Sequence, residues 1–305
     1  MFYMNKASGR KMRPFFIILF ISMLLQGEEL RIGYDNSSLS NYSKKDMKIA
    51  TELWMTEFIQ DIGYTVTSTF YDDPELMAAD LNQGKLDYVT AFGLVFVKYF
   101  DLENLSDGFS GGSKNIEDSN FITLVSQNSA NKDWKDLHKA SIILQENDKE
   151  AELYVQDALL RANGKVDIEL IPIRSRQRAV IQLFFGKADA AVVTLNTFKL
   201  AKELNPQIGK KLRIMENSGI TSSGLGFFRK GLDPKAKKLM IESALRLDSD
   251  VRGRQMLALF QTESIIETKL EDLQPIKKLY ERYMRLSKKA GLEDFTTKKK
   301  ASKGK

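Results

Sequence analysis

The chain has 305 residues, 43% of them hydrophobic and 28% charged, with a formal net charge of +6. This is the composition of an ordinary globular protein, and the length accommodates one large domain or two modest ones. Lys6, Arg10, Lys11 and Arg13 fall in the first 27 residues, and Lys298, Lys299, Lys300, Lys303 and Lys305 in the last eight. Without these nine the count is 37 basic against 40 acidic residues. A nucleic-acid footprint needs a basic stripe on the folded body, so no nucleic-acid partner is expected. There is no cysteine and one histidine, His138, which excludes disulfides, thiolate metal sites, a cysteine nucleophile and a lipoprotein anchor.

Residues 1–27 have the three parts of a secretory signal. The four basic residues lead into an apolar run over residues 14–25, and Gln26-Gly27 closes the segment. The run is short for a permanent anchor, since spanning a membrane takes about 20 apolar residues. Cleavage after Gly27 would leave the mature domain in the periplasm. An uncleaved anchor is the alternative, and Met4 or Met12 also serves as a start.

Strands and helices then alternate. Residues 30–34 form a short apolar β run that ends in the polar loop 35–38. Helical apolar spacing covers 46–62 and stops at Gly63. Residues 65–71, TVTSTFY, are β-branched and aromatic, hence a strand. Asp73-Pro74 opens a helix that runs to Gly84, and residues 86–94 form the third strand. This order predicts a parallel sheet with helices on both faces. The Gly/Ser/Asp-rich stretch 106–119 reads as a long loop or lobe boundary. Residues 121–126 are a strand that crosses between lobes. A second series follows, with strands at 140–144, 168–173 and 188–194 and helices at 148–163, 175–185 and 197–204. Strands at 212–215 and 225–228 precede a helical remainder at 234–247, 252–260 and 273–288.

One turn occurs twice. Gly84-Lys85-Leu86-Asp87 and Gly186-Lys187-Ala188-Asp189 each close a helix with glycine and start a hydrophobic strand with aspartate. Glycine suits the left-handed helix stop, and lysine faces the negative helix end. In open α/β sheets ligands bind beyond the carboxyl ends of the strands, so two such edges facing one another make a cleft.

At these residues the chain resembles the phosphate/phosphonate-type periplasmic substrate-binding proteins of ABC transporters. The most specific stretch is Arg176-Gln177-Arg178-Ala179-Val180 leading into 185–193. Trp134-Lys135-Asp136-Leu137, Ser222-Ser223-Gly224-Leu225 and Gly84-Lys85-Leu86-Asp87 add to it. The resemblance implies a type II periplasmic binding protein fold, two α/β lobes each with a mostly parallel sheet, joined by two crossing strands at 119–127 and 222–228. Lobe 1 would hold residues 29–118 and 225–290, lobe 2 residues 119–224, and residues 291–305 a disordered basic tail. Closure of the hinge on a ligand is then what a membrane partner reads.

Candidate ligand contacts lie where strands end. In lobe 1 these are Tyr34 and Asp35, Tyr71, and Phe92 with Gly93, where the missing side chain lets backbone amides approach a ligand. In lobe 2 they are Gln145, Glu146 and Asn147, then Arg174, Thr194 and Asn196, with Ser222 at the hinge. Helix capping is the competing role for Asp35, Thr194 and Asn196. The family resemblance implies a hydroxyl-rich turn at 145–148, whereas this chain has Gln145-Glu146-Asn147-Asp148. A cationic or neutral hydrogen-bonding ligand group suits that turn better than an oxyanion does.

The expected function is extracytoplasmic capture of a small molecule between lobes for an ABC importer, by a monomer that carries no cofactor or metal. A receptor that reports to a membrane sensor protein is the alternative within binding modules. An enzyme on the same fold would have to rely on carboxylates alone, so no catalytic residue is assigned. A phosphate-binding loop, a dinucleotide glycine fingerprint and a calcium loop are all missing from the sequence.

Overall fold

The structure is a computed structural model that describes residues 29–39, 49, 64–113, 115–249, 251–259 and 262–296. The expected signal segment lies outside these residues. So does the helix expected over 46–62, apart from residue 49.

In chain order the first lobe begins with β1 (Glu29–Asp35), β2 (Thr65–Tyr71), α1 (Pro74–Asn82), β3 (Tyr88–Phe92) and α2 (Gly93–Tyr99), then the short strands β4 (Leu105–Ser106) and β5 (Gly108–Gly112). The second lobe holds β6 (Asn120–Ser126), β7 (Ser141–Gln145), α3 (Lys149–Asn163), β8 (Glu169–Ile173), α4 (Arg176–Phe184), β9 (Ala190–Thr194), α5 (Leu195–Leu204), α6 (Pro206–Lys211) and β10 (Leu212–Thr221). The chain returns through β11 (Gly224–Arg229), α7 (Pro234–Leu245), α8 (Val251–Leu259), β12 (Ser264–Thr268) and α9 (Gln274–Lys289).

Two five-stranded sheets result, in the orders β2-β1-β3-β11-β4 and β10-β6-β9-β7-β8. In the first, β1 pairs in parallel with β2 and β3, and in the second β7 pairs in parallel with β8 and β9. Helical crossovers permit that pairing. The strands that begin or end a lobe, β6, β10 and β11, pair antiparallel. The two crossings meet where the Ser222 N–H donates to the Ser119 carbonyl at 2.8 Å.

The repeated turn has the same geometry in both lobes. Gly84 and Gly186 both take φ of 69°. The Asp87 N–H donates to the Arg31 carbonyl at 2.8 Å, and its carboxylate accepts from the Arg31 N–H at 3.1 Å. Asp189 repeats this pair with Ser141, at 3.0 and 2.8 Å. Each aspartate therefore staples the start of its strand to the neighbouring one. Asp87 additionally takes the Arg31 and Arg229 guanidinium groups.

Four expectations need correction. β3 stops at Phe92 and Gly93 already opens α2, so residues 93–94 are helical. The stretch 106–119 is more than a loop, because β5 within it pairs with β12. That pair lies against β11, and only glycine permits the approach: a Cβ on Gly108 would stand 2.5 Å from the Gly226 carbonyl oxygen. β12 is a strand within the remainder expected to be helical, α6 covers residues given no element from the sequence, and β10 extends to Thr221. Finally, residues 291–296 of the expected disordered tail pack back on the body, with Phe295 edge-on to Tyr283 at 5.3 Å between ring centres.

The largest buried cluster runs through both lobes, from Met77 and Phe96 by way of Ile276 and Tyr283 to Tyr154 and Phe121. Helix α9 is the bridge. Its Arg282 donates twice to Asp157 of α3, at 2.8 and 2.7 Å, and Asp157 is wholly buried. Among the described residues no helix is long and apolar enough to cross a membrane.

Candidate functional site

The carboxyl ends of β1, β2 and β3 in the first sheet and of β7 in the second open onto a shared gap between the lobes. A cavity of about 940 Å³ opens there. Asp35, Phe92 and Lys98 line it from the first lobe, and Asn147, Lys149 and Glu150 from the second. Residues 293–296, beyond α9, supply the remaining wall.

The second-lobe side is built around a tight turn. Asn147 takes φ of 63°, a conformation asparagine tolerates better than most residues. Asp148 then caps α3 by accepting from the Ala151 N–H at 3.0 Å. Its other oxygen receives Arg176 at 2.6 Å, and Arg176 also donates to the Ser222 hydroxyl at 2.6 Å while lying 5.3 Å over the Phe121 ring. The turn, the start of α4 and the hinge are therefore one connected unit.

Glu150, in the first turn of α3, reaches across the gap. Its Oε1 accepts from the Leu94 N–H at 2.9 Å, at the start of α2. Gly93 makes room for this, since a Cβ there would lie 3.4 Å from that oxygen and 3.1 Å from Ile276. The residue is 3% exposed, and its Oε2 has no hydrogen-bond partner among the described residues. Burial pushes the carboxyl up to about 8, against the opposing pull of the Leu94 and Gly93 amides. In the same cavity, burial lowers the Lys98 ammonium, and nearby Asp294 partly offsets that. The cavity thus brings the buried carboxyls of Asp35 and Glu150 together with the half-buried Lys98 ammonium.

The residues expected from the sequence divide accordingly. Asp35, Phe92 and Asn147 line the cavity, and Gly93 abuts it through Glu150. Asp35 is 1% exposed and accepts from the Ser37 hydroxyl. Tyr34 is packed instead in the first-lobe core, stacked on Phe70. Tyr71 turns its hydroxyl to Asp80 at 2.9 Å. Gln145 is buried at the strand end, whereas Glu146 and Arg174 are exposed. Thr194 caps α5 through the Thr197 N–H, and neighbouring Asn196 lies in that helix. Ser222 is engaged by Arg176.

Lys98, Lys149, Glu150 and the 293–296 segment were not anticipated. Lys98 carries a sequence signal, because it is the one charged residue in the apolar run Gly93–Tyr99. Glu150 carries none, since an acid in the first turn of a helix is commonplace.

Comparison with known proteins agrees with this architecture. The family of ABC-transporter phosphonate periplasmic substrate-binding proteins matches residues 37–273. PhnD1 from Prochlorococcus marinus, solved in complex with methylphosphonate, superposes with a TM-score of 0.58 at 15% identity, over 85% of this chain and 99% of that one. A Xanthomonas citri protein bound to chloride ion gives 0.59 at 14%, over 86% and 99%. A binding-protein component of a phosphonate ABC transporter from Pseudomonas aeruginosa gives 0.54 at 13%, over 87% and 89%. At such identities these likenesses show the fold alone, that of type II periplasmic binding proteins. No curated protein sequence matches the chain. The family match spans most of the sequence, and this protein therefore belongs to the phosphonate-type periplasmic substrate-binding proteins of ABC transporters, which carry solutes without transforming them.

Proposed function

We propose that the protein, exported by a cleavable signal at residues 1–27 and acting as a monomer, captures a small zwitterionic solute in the inter-lobe cavity and presents it to an ABC permease. The observation that carries this reading is that the buried, half-satisfied Glu150 carboxyl and the Lys98 ammonium line one cavity walled by both lobes. A cavity of about 940 Å³ is in the range of small-ligand sites. A ligand ammonium beside Oε2 would favour loss of the Glu150 proton to solvent and pair with the resulting carboxylate, giving that buried oxygen a partner. A ligand anion would pair with Lys98. The turn at Gln145-Glu146-Asn147-Asp148 offers no hydroxyl, which argues against a purely anionic ligand.

The test is a thermal-shift series on the purified protein. 2-Aminoethylphosphonate and taurine represent zwitterions, methylphosphonate and ethanesulfonate pure anions, and ethanolamine a pure cation. A ligand that binds the folded state raises the melting temperature by mass action. The expected result is a shift with a zwitterion that exceeds those with both anions and with ethanolamine. A stronger shift with methylphosphonate would overturn the zwitterion reading.

A further inference from the structure

We propose that the segment Glu293–Thr296 is an internal competitor, a strap along one wall of the cleft that holds Lys98 and has to release it before the anionic group of a solute takes its place. The inference rests on the solute-capture reading and adds a regulation to it.

The strap is set up by the way α9 ends. The Leu292 N–H bonds back to the Ser287 carbonyl at 2.9 Å, and the Ala290 N–H to Leu286 at 2.9 Å, with Gly291 at φ of 70°. This is the left-handed helix stop that turns a chain back on itself. The next residues therefore head for the cavity rather than away from the body. Asp294 then rigidifies the turn by accepting from the Thr296 N–H at 2.9 Å and from its hydroxyl at 2.6 Å.

Four contacts then engage three different helices, α2, α3 and α9. The Asp294 carboxylate lies 3.6 Å from the Lys98 ammonium of α2, and Lys98 donates to the Thr296 hydroxyl at 2.7 Å. The Phe295 ring sits 5.2 Å from the Lys149 ammonium, at the start of α3 in the other lobe. The same ring meets Tyr283 of α9 edge-on. A carboxylate on Lys98 is what an anionic solute group would present there. A ring held by residues of both sides joins the lobes with no solute bound.

The consequence is quantitative. A tethered segment competes at an effective concentration in the millimolar range. A solute that needs Lys98 free then sees its affinity reduced by the fraction of molecules in which the strap has released it.

The chain has no cysteine, so Thr297→Cys in the full-length protein gives a single attachment point for a fluorophore next to the strap. The expected anisotropy is high in the otherwise native chain. It should drop in Asp294→Ala/Phe295→Ala and, separately, in Lys98→Met, each checked for a native circular-dichroism spectrum. If Lys98→Met does not fold, Lys149→Ala removes the opposing contact instead. Titration with 2-aminoethylphosphonate and methylphosphonate forms the second arm, and whichever binds should bind roughly tenfold or more tightly to the Asp294→Ala/Phe295→Ala protein. A fluorophore equally mobile in all variants overturns the strap. Equal solute affinity in native and loosened proteins overturns its role as competitor while leaving solute capture standing. If neither probe binds any variant, the solute reading loses its support and the anisotropy still decides whether the strap exists.

Discussion

Glu150 shows how one side chain acquires a property its neighbours in sequence do not announce. Its carboxyl is held at about 8 rather than the ordinary 4.5, chiefly by burial. The folded chain therefore keeps a proton over this interval that the unfolded chain has lost. The resulting contribution to stability is complete below pH 4.5 and disappears as pH rises through about 8. Glu150→Gln keeps the neutral shape and removes the titration. In urea denaturation, the stability of the native protein relative to this variant should fall by on the order of 3 kcal/mol between pH 5 and pH 8.5. A pH-independent difference would show that Glu150 is not the buried titrating group. Asp87 and Asp189 make a second comparison, because they have the same backbone role and different surroundings. Asp87 is 3% exposed and holds two arginines, whereas Asp189 is exposed and holds the Ser141 hydroxyl. Asp87→Ala should cost about 2 kcal/mol, leaving two half-buried arginines and a strand N–H without their acceptor, and Asp189→Ala about 1 kcal/mol. Equal losses by equilibrium unfolding would contradict that ranking.

At the scale of elements, what was legible in the sequence is what local chemistry decides. The two Gly-Lys-x-Asp turns were readable because a left-handed glycine and a strand-starting aspartate act within a few residues of each other. Asp35, Phe92 and Asn147 were readable because strand ends in parallel sheets face the ligand side. The β5–β12 pair was not readable, since its partners lie some 150 residues apart, for example Ser264 opposite Gly112. Its glycines register as turn formers when their real role is close backbone approach. The end of β3 was misplaced by two residues, and Lys98 consequently fell outside the expected site. Gly226 tests the packing argument. A Cβ there would stand 1.7 Å from the Tyr88 hydroxyl and 2.3 Å from the Phe109 carbonyl oxygen. Tyr88 could swing away only by giving up its bond to that same carbonyl. Gly226→Ala should therefore destabilise by about 3 kcal/mol or more, seen as a lowered denaturation midpoint. A midpoint within error of the native one would show that β5 and β11 are less closely packed.

At the scale of the whole molecule, the two sheets, the two crossings and the α9 bridge set a cavity between the two lobes. The Asp157–Arg282 contact ties α9 to α3, so the last long helix belongs structurally to both sides of the cleft. Sequence alone assigned that helix to the first lobe, because its contacts with α3 depend on tertiary packing and not on periodicity. The family is that of solute carriers, and the proposed solute is one that offers both an anion and a hydrogen-donating cation. Isothermal titration calorimetry with 2-aminoethylphosphonate and taurine, on the native protein and on Lys98→Met and Glu150→Gln, tests this most directly. The account predicts saturable one-to-one binding of at least one of the two, weakened about tenfold or more by each substitution, the loss expected for a charged hydrogen bond. Binding that both substitutions leave unchanged would contradict it.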